Sequence, residues 1–547
     1  IHNIGSAREA SMNERARLAT NSGFTDKIGT KTEKAKGITG ELVYVGEVYR
    51  DSSTGRYYWT ENVGANLKGK FIFATNSRSR AYRLALQEGA IASLCSQIES
   101  YNDPIIDGYE LNPTVAKYAS VPNSESKNPV AFNLSPRDER YLISLSENAN
   151  GPIMMRAVTI GSFYPYSQQR PLKTLIAEIK GSSRPDERLV FAAHVQEPGA
   201  NDNGSGVGLQ LEIVRVLKEL LDEGKLARPA RTMTFLWGLE MSQVSLWAAA
   251  HPDQMLNVKA GLILDMVGED PAKCGGVMRI EKSPDPSAVY TYGLDLLPGE
   301  EPPPMTDAYV RQPDKHTLWG AGELEFSPYP GFYLNDLYFQ SASLVSQDFP
   351  GWQVGWNPWE GGSDHDPFLW YQTDSGYYPI PAVLTWHFTD YFYHSNLDTM
   401  GKVSADELRN VGITTIDVGY LQAIAGEEEA LGIMEIVRRH ASLRFDWEMQ
   451  NSVGHLTWAY EKAVSEGKSE TEIKAAIDDA LTLELEILTA WATWYKEATT
   501  SARRLCGTDV TVRYQQLEER NLRQIDNMLD QAALRATLLA VKLKSQV

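Results

Sequence analysis

Apolar and polar positions follow two rhythms along this chain, and the change between them divides it. From residue 40 onward, short runs rich in β-branched and aromatic residues recur between polar joints. Strands are predicted over 40–46, 90–95 and 129–135, a turn followed by a buried strand over 67–75, and a short helix over 81–89. A second series follows. Residues 174–181 and 188–194 predict two adjacent strands joined by an antiparallel turn at 182–186, and 231–238, 258–267 and 379–388 predict three more. An apolar helix over 207–221 and a shorter one over 243–250 lie between them. Such alternation predicts an α/β fold: a mostly parallel mixed sheet flanked by helices. Residues 271–360 break the pattern, being rich in Pro, Gly, Trp and Tyr, and predict a long functional loop region. Beyond residue 403 the period becomes helical. Leu522, Ile525, Leu529 and Ala533 share one helix face, and 404–547 predicts helices, the later ones forming a bundle.

Four segments result: 1–36, a polar stretch expected to pack on the catalytic domain; 37–160, a small α/β domain; 161–425, the catalytic domain; and 426–547, a helical domain. Several domains suit a chain of 547 residues. Other bulk properties exclude more than they assign. The formal charge of −19 and the lack of a basic stripe argue against a nucleic-acid partner. No apolar run reaches the roughly 20 residues that span a bilayer, so no membrane span is expected. Cys95, Cys274 and Cys506 are far apart, which argues against a thiolate metal site. A start at Ile1 suggests a trimmed N-terminus, and a secreted or periplasmic location is the expectation. The C-terminal helices are the surface on which a homodimer would form.

Candidate chemistry concentrates at predicted strand ends, where open α/β sheets bind ligands. His194 ends one strand and Asp202 follows in its loop. Glu240 follows the strand ending at Gly238, Asp265 lies near the end of the next, and His394 sits just past the strand ending at Phe388. Two imidazoles and three carboxylates suit two zinc ions, or other divalent metals, with one carboxylate bridging. His387 is the alternative to His394. His365, in 363–368, is placed to face the site and hydrogen-bond a substrate carbonyl or oxyanion as a catalytic residue; pinning its own loop is the competing role.

The motifs Ala200-Asn-Asp-Asn-Gly-Ser-Gly206, Leu264-Asp-Met-Val267, Ser363-Asp-His-Asp-Pro-Phe368 and His394-Ser-Asn-Leu-Asp-Thr399 occur in one order. That order resembles the di-zinc aminopeptidase and carboxypeptidase family, which includes bacterial leucyl aminopeptidases and glutamate carboxypeptidase II. The resemblance covers roughly 37–425. It implies a bridging Asp202, one ion also held by His194 and Asp265, and the other by Glu240 and His394. The domain over 37–160 resembles the protease-associated domain, in its Lys68-Gly-Lys70 strand and Glu88-Gly-Ala90 turn. The implied activity is hydrolysis of a terminal peptide or small amide bond through a di-metal-activated water, with an aminopeptidase the leading version.

Two positions depart from the family. It carries Glu-Glu after the third motif strand, a general base and then a ligand; this chain has Leu239-Glu240, so Leu239 falls in the base position. The family also has an aspartate where Gln196 stands to buttress His194. Glu197, Glu269, Asp270 and Asp364 are the replacement bases near the site in sequence; alternatively, the metal-activated water works without one. A binding or receptor protein and a glutaminyl-cyclase-like aminoacyl transferase are the alternative functions. The segment 352–359 is a candidate aromatic wall for the substrate. Ser205 reads as a helix cap rather than a nucleophile.

Overall fold

The computed structural model describes residues 17–18, 37–106, 109–118, 129–157, 173–290, 329–507 and 510–547. In the first unit the strands lie in the order Arg17–Leu18, Val130–Asn133, Ala92–Cys95, Phe71–Ala74, Ile38–Gly46 and Ile153–Ala157. The four inner strands are parallel and the two edges antiparallel. The predicted strands and the short helix (Arg78–Glu88) are all present. Of segment 1–36 only Arg17–Leu18 is described, and it pairs with Asn133 and Phe132 of this sheet. Its expected packing on the catalytic domain otherwise lies outside the described residues.

The larger sheet comprises β1 (Leu175–Ile179), β2 (Arg184–His194), β3 (Arg231–Gly238), β4 (Val258–Leu264), β5 (Val277–Glu281), β6 (Val354–Asn357) and β7 (Ala382–Phe388). Their order is β1-β3-β2-β4-β7-β5-β6. β3, β2, β4 and β7 run parallel, so their carboxyl ends share one edge. Burial explains the centre: every residue of β3 and β7 is buried, as continuous apolar runs require when helices cover both faces.

One expected pairing is corrected. β1 does not lie beside β2; it pairs antiparallel with β3, Leu175 opposite Trp237. β3 takes the whole flank of β2, from Arg231 opposite Arg184 to Gly238 opposite His194, and displaces β1 to the outer edge. The joint therefore crosses the start of β3 instead of turning tightly. Gly181 passes so close that a Cβ there would lie 2.4 Å from the Ala230 carbonyl oxygen. The expected loop region over 271–360 is also partly regular. It contains β5, β6 and a helix, Leu334–Asp348, whose apolar spacing is interrupted by Asn335, Asp336 and Ser341, all buried. Residues 291–328 lie outside the described residues.

Helix α1 (Gly204–Asp222) follows β2, and α2 (Ser242–Ala250) follows β3. With the helix 334–348 now α3, α4 (Ala405–Ile424) joins α1 and α3 on one sheet face. Gly419 lets α4 approach the sheet, since a Cβ there would meet Phe191 at 2.6 Å. The bundle is α5 (Glu427–Ser465), α6 (Glu470–Ser501) and α7 (Val512–Lys544), as the helical period predicts. It shares one apolar core with the sheet, running from Phe191 and Phe235 to Trp491 and Trp494.

Arg231 fastens the two. It is fully buried, paired with Glu187 at 2.7 Å, and donates to the carbonyls of Gln422, Ala425 and Leu505. Gln422 and Ala425 close α4, and helix C-termini leave such carbonyls without intrahelical partners. Arg184 also donates to Leu505 O at 2.8 Å and Ala425 O at 3.4 Å, and Lys259 also pairs with Glu187 at 3.1 Å, so replacing Arg231 by Leu would remove one donor from this seam while those partners remain. Losing the hydrogen-bond partner of a buried polar group costs roughly 1–3 kcal/mol. Arg231→Leu should therefore lower the denaturant midpoint and soluble yield by an amount of that order, measured by circular dichroism.

Candidate metal centre

The edge formed by β3, β2, β4 and β7 collects the predicted residues. His194 is the last residue of β2 and fully buried; Asp265 directly follows β4; Glu240 follows β3; His394 lies in the loop after β7. Asp202 precedes α1, whose N-cap is Asn203, its side chain accepting from Gly206 N at 3.0 Å. The expected cap Ser205 instead lies inside the first turn, with Oγ donating to Asn201 O and accepting from Val267 N. Asn203 also ties this turn to β4, donating to Leu264 O and accepting from Met266 N.

Asp202 is turned with one oxygen toward each imidazole. Oδ2 lies 2.9 Å from His394 Nε2 and Oδ1 3.7 Å from His194 Nε2. Asp265 Oδ1 is 3.1 Å from His194 Nε2. His194, Asp202 and Asp265 thus form one group able to hold a cation. A second contains Asp202, His394 and Glu197, whose Oε1 lies 3.2 Å from His394 Nε2. Glu240 groups with His194 and Glu197, its Oε1 3.7 Å from His194 Nε2. Among the described residues, Glu240 shares no such group with His394, where the resemblance had placed it; Glu197 does. The sequence gives Glu197 only as a possible base, because no motif marks a residue three places after His194.

The donors fit divalent ions. His194 Nε2, Asp202 Oδ1 and Asp265 Oδ1 are buried with no hydrogen-bond partner. Each unpaired buried polar atom costs about 1–3 kcal/mol, and imidazole with carboxylate is a zinc-type set. Electrostatics point the same way. Burial, reinforced by the charges of Glu197 and Asp265, holds the Asp202 carboxyl well above its ordinary range. Burial likewise raises Glu240, with His194 opposing and Asp265 adding to the rise. Burial would lower His194, but the charges of Asp265, Glu240 and Asp364 outweigh it and raise the imidazole. Four carboxylates against two imidazoles is a charge balance that cations complete.

A second layer fixes the first. Asp398 accepts from Asn201 N at 2.9 Å and Asp202 N at 3.0 Å. Ser363 Oγ donates to Asp265 Oδ2 at 2.7 Å. Gln196, which stands where the family has an aspartate beside His194, clasps Glu240: its Nε2 donates to Glu240 Oε2 at 3.2 Å and its Oε1 accepts from Glu240 N at 3.0 Å. The reason is direction, since Gln196 lies past the end of β2, level with the turn after β3. The first unit contributes Tyr118, whose hydroxyl donates to Asp202 Oδ2 at 3.3 Å and whose ring lies 4.6 Å from that of His394. Tyr118 N also donates to His394 O, and Asn102 holds the carbonyls of Tyr391 and Tyr393. Nothing in the local sequence around Tyr118 signals this role.

The site opens into a cavity of about 120 Å³ lined by Glu197, Asp202, Glu240, Asp265, Glu281, His394 and the apolar Met266, Leu384, Trp386 and Tyr393. Several expectations fall away from it. His365 is fully buried and bonds Glu281 at 2.8 Å beneath the 360–363 backbone, so the structure sets it behind the cavity wall, pinning its loop. His387 bonds Gly275 O, and burial pushes it down to about 4. Neither Leu239 nor the 352–359 segment is among the lining residues. Trp352 donates to Glu407 and Trp359 to Asp366, so the aromatic wall is Trp386 and Tyr393 instead. Of the candidate bases, Glu269 is fully buried, Asp270 pairs with Lys273, and Asp364 accepts from Met241 N and Gln243.

Comparison with known proteins agrees over the middle of the chain. Residues 174–282 match the family described as Peptidase family M28. Among solved structures, BSAP, a zinc aminopeptidase from Bacillus subtilis, is 17% identical over 75% of this chain and 79% of its own, with a TM-score of 0.43. The aminopeptidase from Aneurinibacillus sp. strain AM-1 is 20% identical over 71% and 75%, with a TM-score of 0.36. The Porphyromonas gingivalis glutaminyl cyclase is 18% identical over 46% and 79%, with a TM-score of 0.29. No curated protein matches.

Loss of an outer partner of a metal ligand typically lowers affinity about 10–100-fold. Tyr118→Phe should weaken divalent-ion binding within that range while leaving the fold unchanged, as read by competition with a chromophoric chelator.

Proposed function

We propose that this chain is a metal-dependent hydrolase that removes a terminal residue by cutting a peptide or related amide bond, with aminopeptidase chemistry foremost. The carrying observation is Asp202, which offers one oxygen to each of two imidazoles on opposite sides of it. The match of residues 174–282 to Peptidase family M28 supports the same reading. His194, Asp202, Asp265, His394 and the neighbouring glutamates would hold two zinc ions. Bound there, the ions would supply Lewis acidity, lowering the pKa of a water and polarising the carbonyl it attacks.

The chain's own groups set what is cut. A cavity of about 120 Å³ is well below the roughly 300–1,000 Å³ of pockets for larger ligands. Its size suits one terminal residue. Leu384, Trp386 and Tyr393 offer an apolar wall to a side chain, while Glu197, Glu240 and Glu281 give the cavity an excess of carboxylates. A free α-ammonium is attracted to such a wall and a terminal carboxylate repelled, which favours the amino end. We also propose that the first unit is a protease-associated-like domain, a reading supported by its 68–70 and 88–90 motifs and by its contact with the site through Tyr118.

The test is a panel of aminoacyl, amino-blocked peptidyl, carboxy-terminal and amino-terminal glutaminyl substrates, with metal content measured in parallel. The expected result is hydrolysis of free-amino substrates, abolished by chelation and restored by zinc, and absent in Asp202→Asn. A folded chain that binds no divalent ion and turns over none of the panel would refute the proposal and favour a binding protein.

A further inference from the structure

Behind the metal centre, three loops bring a second set of oxygen atoms into one region. Glu269 stands in the loop after β4, Asp390 in the loop after β7, and Asn201 in the turn before α1; all three are fully buried. Both carboxylate oxygens of Glu269, Asp390 Oδ2 and Asn201 Oδ1 have no hydrogen-bond partner. Buried polar atoms in folded proteins nearly always have one, and an orphan that persists points to a bound water or ion.

Main-chain bonds close the loops around these atoms. Tyr391 N donates to Cys274 O at 2.8 Å, Ser404 N to Gly268 O at 2.7 Å and Asp270 N to Lys402 O at 2.9 Å. Asn201 enters from the opposite side, with its Nδ2 4.0 Å from Cys274 Sγ. Its Oδ1 packs on Gly268, the residue before Glu269, where a Cβ would lie 3.3 Å from it. The Cys274 thiol is raised by burial first, and then by the charges of Asp390 and Glu269, so both carboxylates bear on one point.

The orphans are all acceptors, and two of the three side chains carry charge. Asp398 nearby is already met by the backbone of Asn201 and Asp202. Burial, with the charges of Asp390 and Asp398, holds the Glu269 carboxyl well above its ordinary range. Burial also pushes Asp390 up to about 7, although the Phe392 N–H opposes the rise. Water could answer a lone pair but not the charge. A proton on one carboxyl would cancel one charge and leave the remaining oxygens as they are. A divalent cation answers both needs. Carboxylate and amide oxygens form a hard donor set, unlike the imidazole-bearing set at the rim. Calcium takes about six to eight oxygens, including both oxygens of one carboxylate and the carbonyl of an asparagine, in flexible geometry. Magnesium demands a near-ideal octahedron and sheds its waters reluctantly, which suits a fully buried place less well.

We propose that Glu269, Asp390 and Asn201 hold a calcium ion behind the catalytic rim, Glu269 through both oxygens. The ion would brace the loop that carries His394 against the turn that carries Asp202. This site is separate from the hydrolase reading and stands whether or not that reading does.

Ion counting tests it. The full chain is dialysed against zinc and calcium together and assayed by plasma mass spectrometry, with melting followed by circular dichroism in parallel. The expected result is about one calcium per chain beside the zinc, and a Tm that rises with calcium concentration. Glu269→Gln and Asp390→Asn should each lose the calcium and its effect on Tm while keeping the zinc. Asp202→Asn should do the reverse, losing zinc and keeping calcium. Glu269→Asp, which keeps the charge on a shorter arm, covers the case in which Glu269→Gln does not fold, and should hold calcium more weakly than the parent. A parent chain that takes up no calcium would overturn the assignment. So would calcium held as tightly by Glu269→Gln and Asp390→Asn as by the parent, or calcium lost only in Asp202→Asn. A parent that binds calcium but no zinc would instead refute the hydrolase reading, a different failure.

Discussion

Like charge held at close range is the constraint around which this molecule is arranged. Glu197, Asp202, Glu240 and Asp265 meet two imidazoles at the rim of a sheet, with His194, Asp202 and Asp265 buried and the other three half-buried. Burial and mutual repulsion oppose the ionised forms of Asp202 and Glu240; burial opposes Glu197 as well, but the His394 imidazole beside it outweighs that and lowers it. Divalent cations reverse the sign of the problem, turning repulsion into coordination. The fold contributes rigidity. The donors hang from the carboxyl ends of parallel strands and from a turn stitched by Asn203 and Asp398, which hold their roots in place.

The same rigidity explains the layered support. Ser363 holds Asp265, Asp398 holds the backbone of Asp202, and Gln196 holds Glu240, each from a different loop. Loops carry the chemistry while strands fix their roots, the usual division of labour in α/β proteins. The apolar core continuous from the sheet into α5–α7 anchors the other end of the strands. Arg231 closes the seam, since its guanidinium answers carbonyls that two helix ends leave open.

Much of this was legible in the sequence where one local pattern decided it. Continuous apolar runs announced the central strands, and His194, Asp202, Asp265 and His394 were found because strand ends in such sheets converge. The failures are nonlocal. Strand order cannot be read from a polar joint, so β1 was expected beside β2 although β3 separates them. The direction of a side chain past a strand end is equally hidden. Gln196 turns to Glu240, away from the His194 that the family's aspartate supports, and His365, expected to face the site, bonds Glu281 behind the cavity. Tyr118 comes from a separate unit, where proximity to the site depends on docking and leaves no trace in neighbouring residues. Helix 334–348 was missed because polar residues that pack inward disguise its period.

That docking carries a consequence for how the first unit should be regarded. It reaches the 391–396 loop through a run of main-chain and amide bonds: Asn102 to Tyr391 and Tyr393, Tyr118 to His394, and Ala116 reciprocally with Asn396. The backbone of one imidazole donor is therefore gripped by a separate α/β body. Any tilt of that body would bear directly on the backbone around His394. The accessory unit is thus less an appendage than a lever, and severing it would leave the 391–396 loop and Asp202 without the bonds that Asn102, Ala116 and Tyr118 supply.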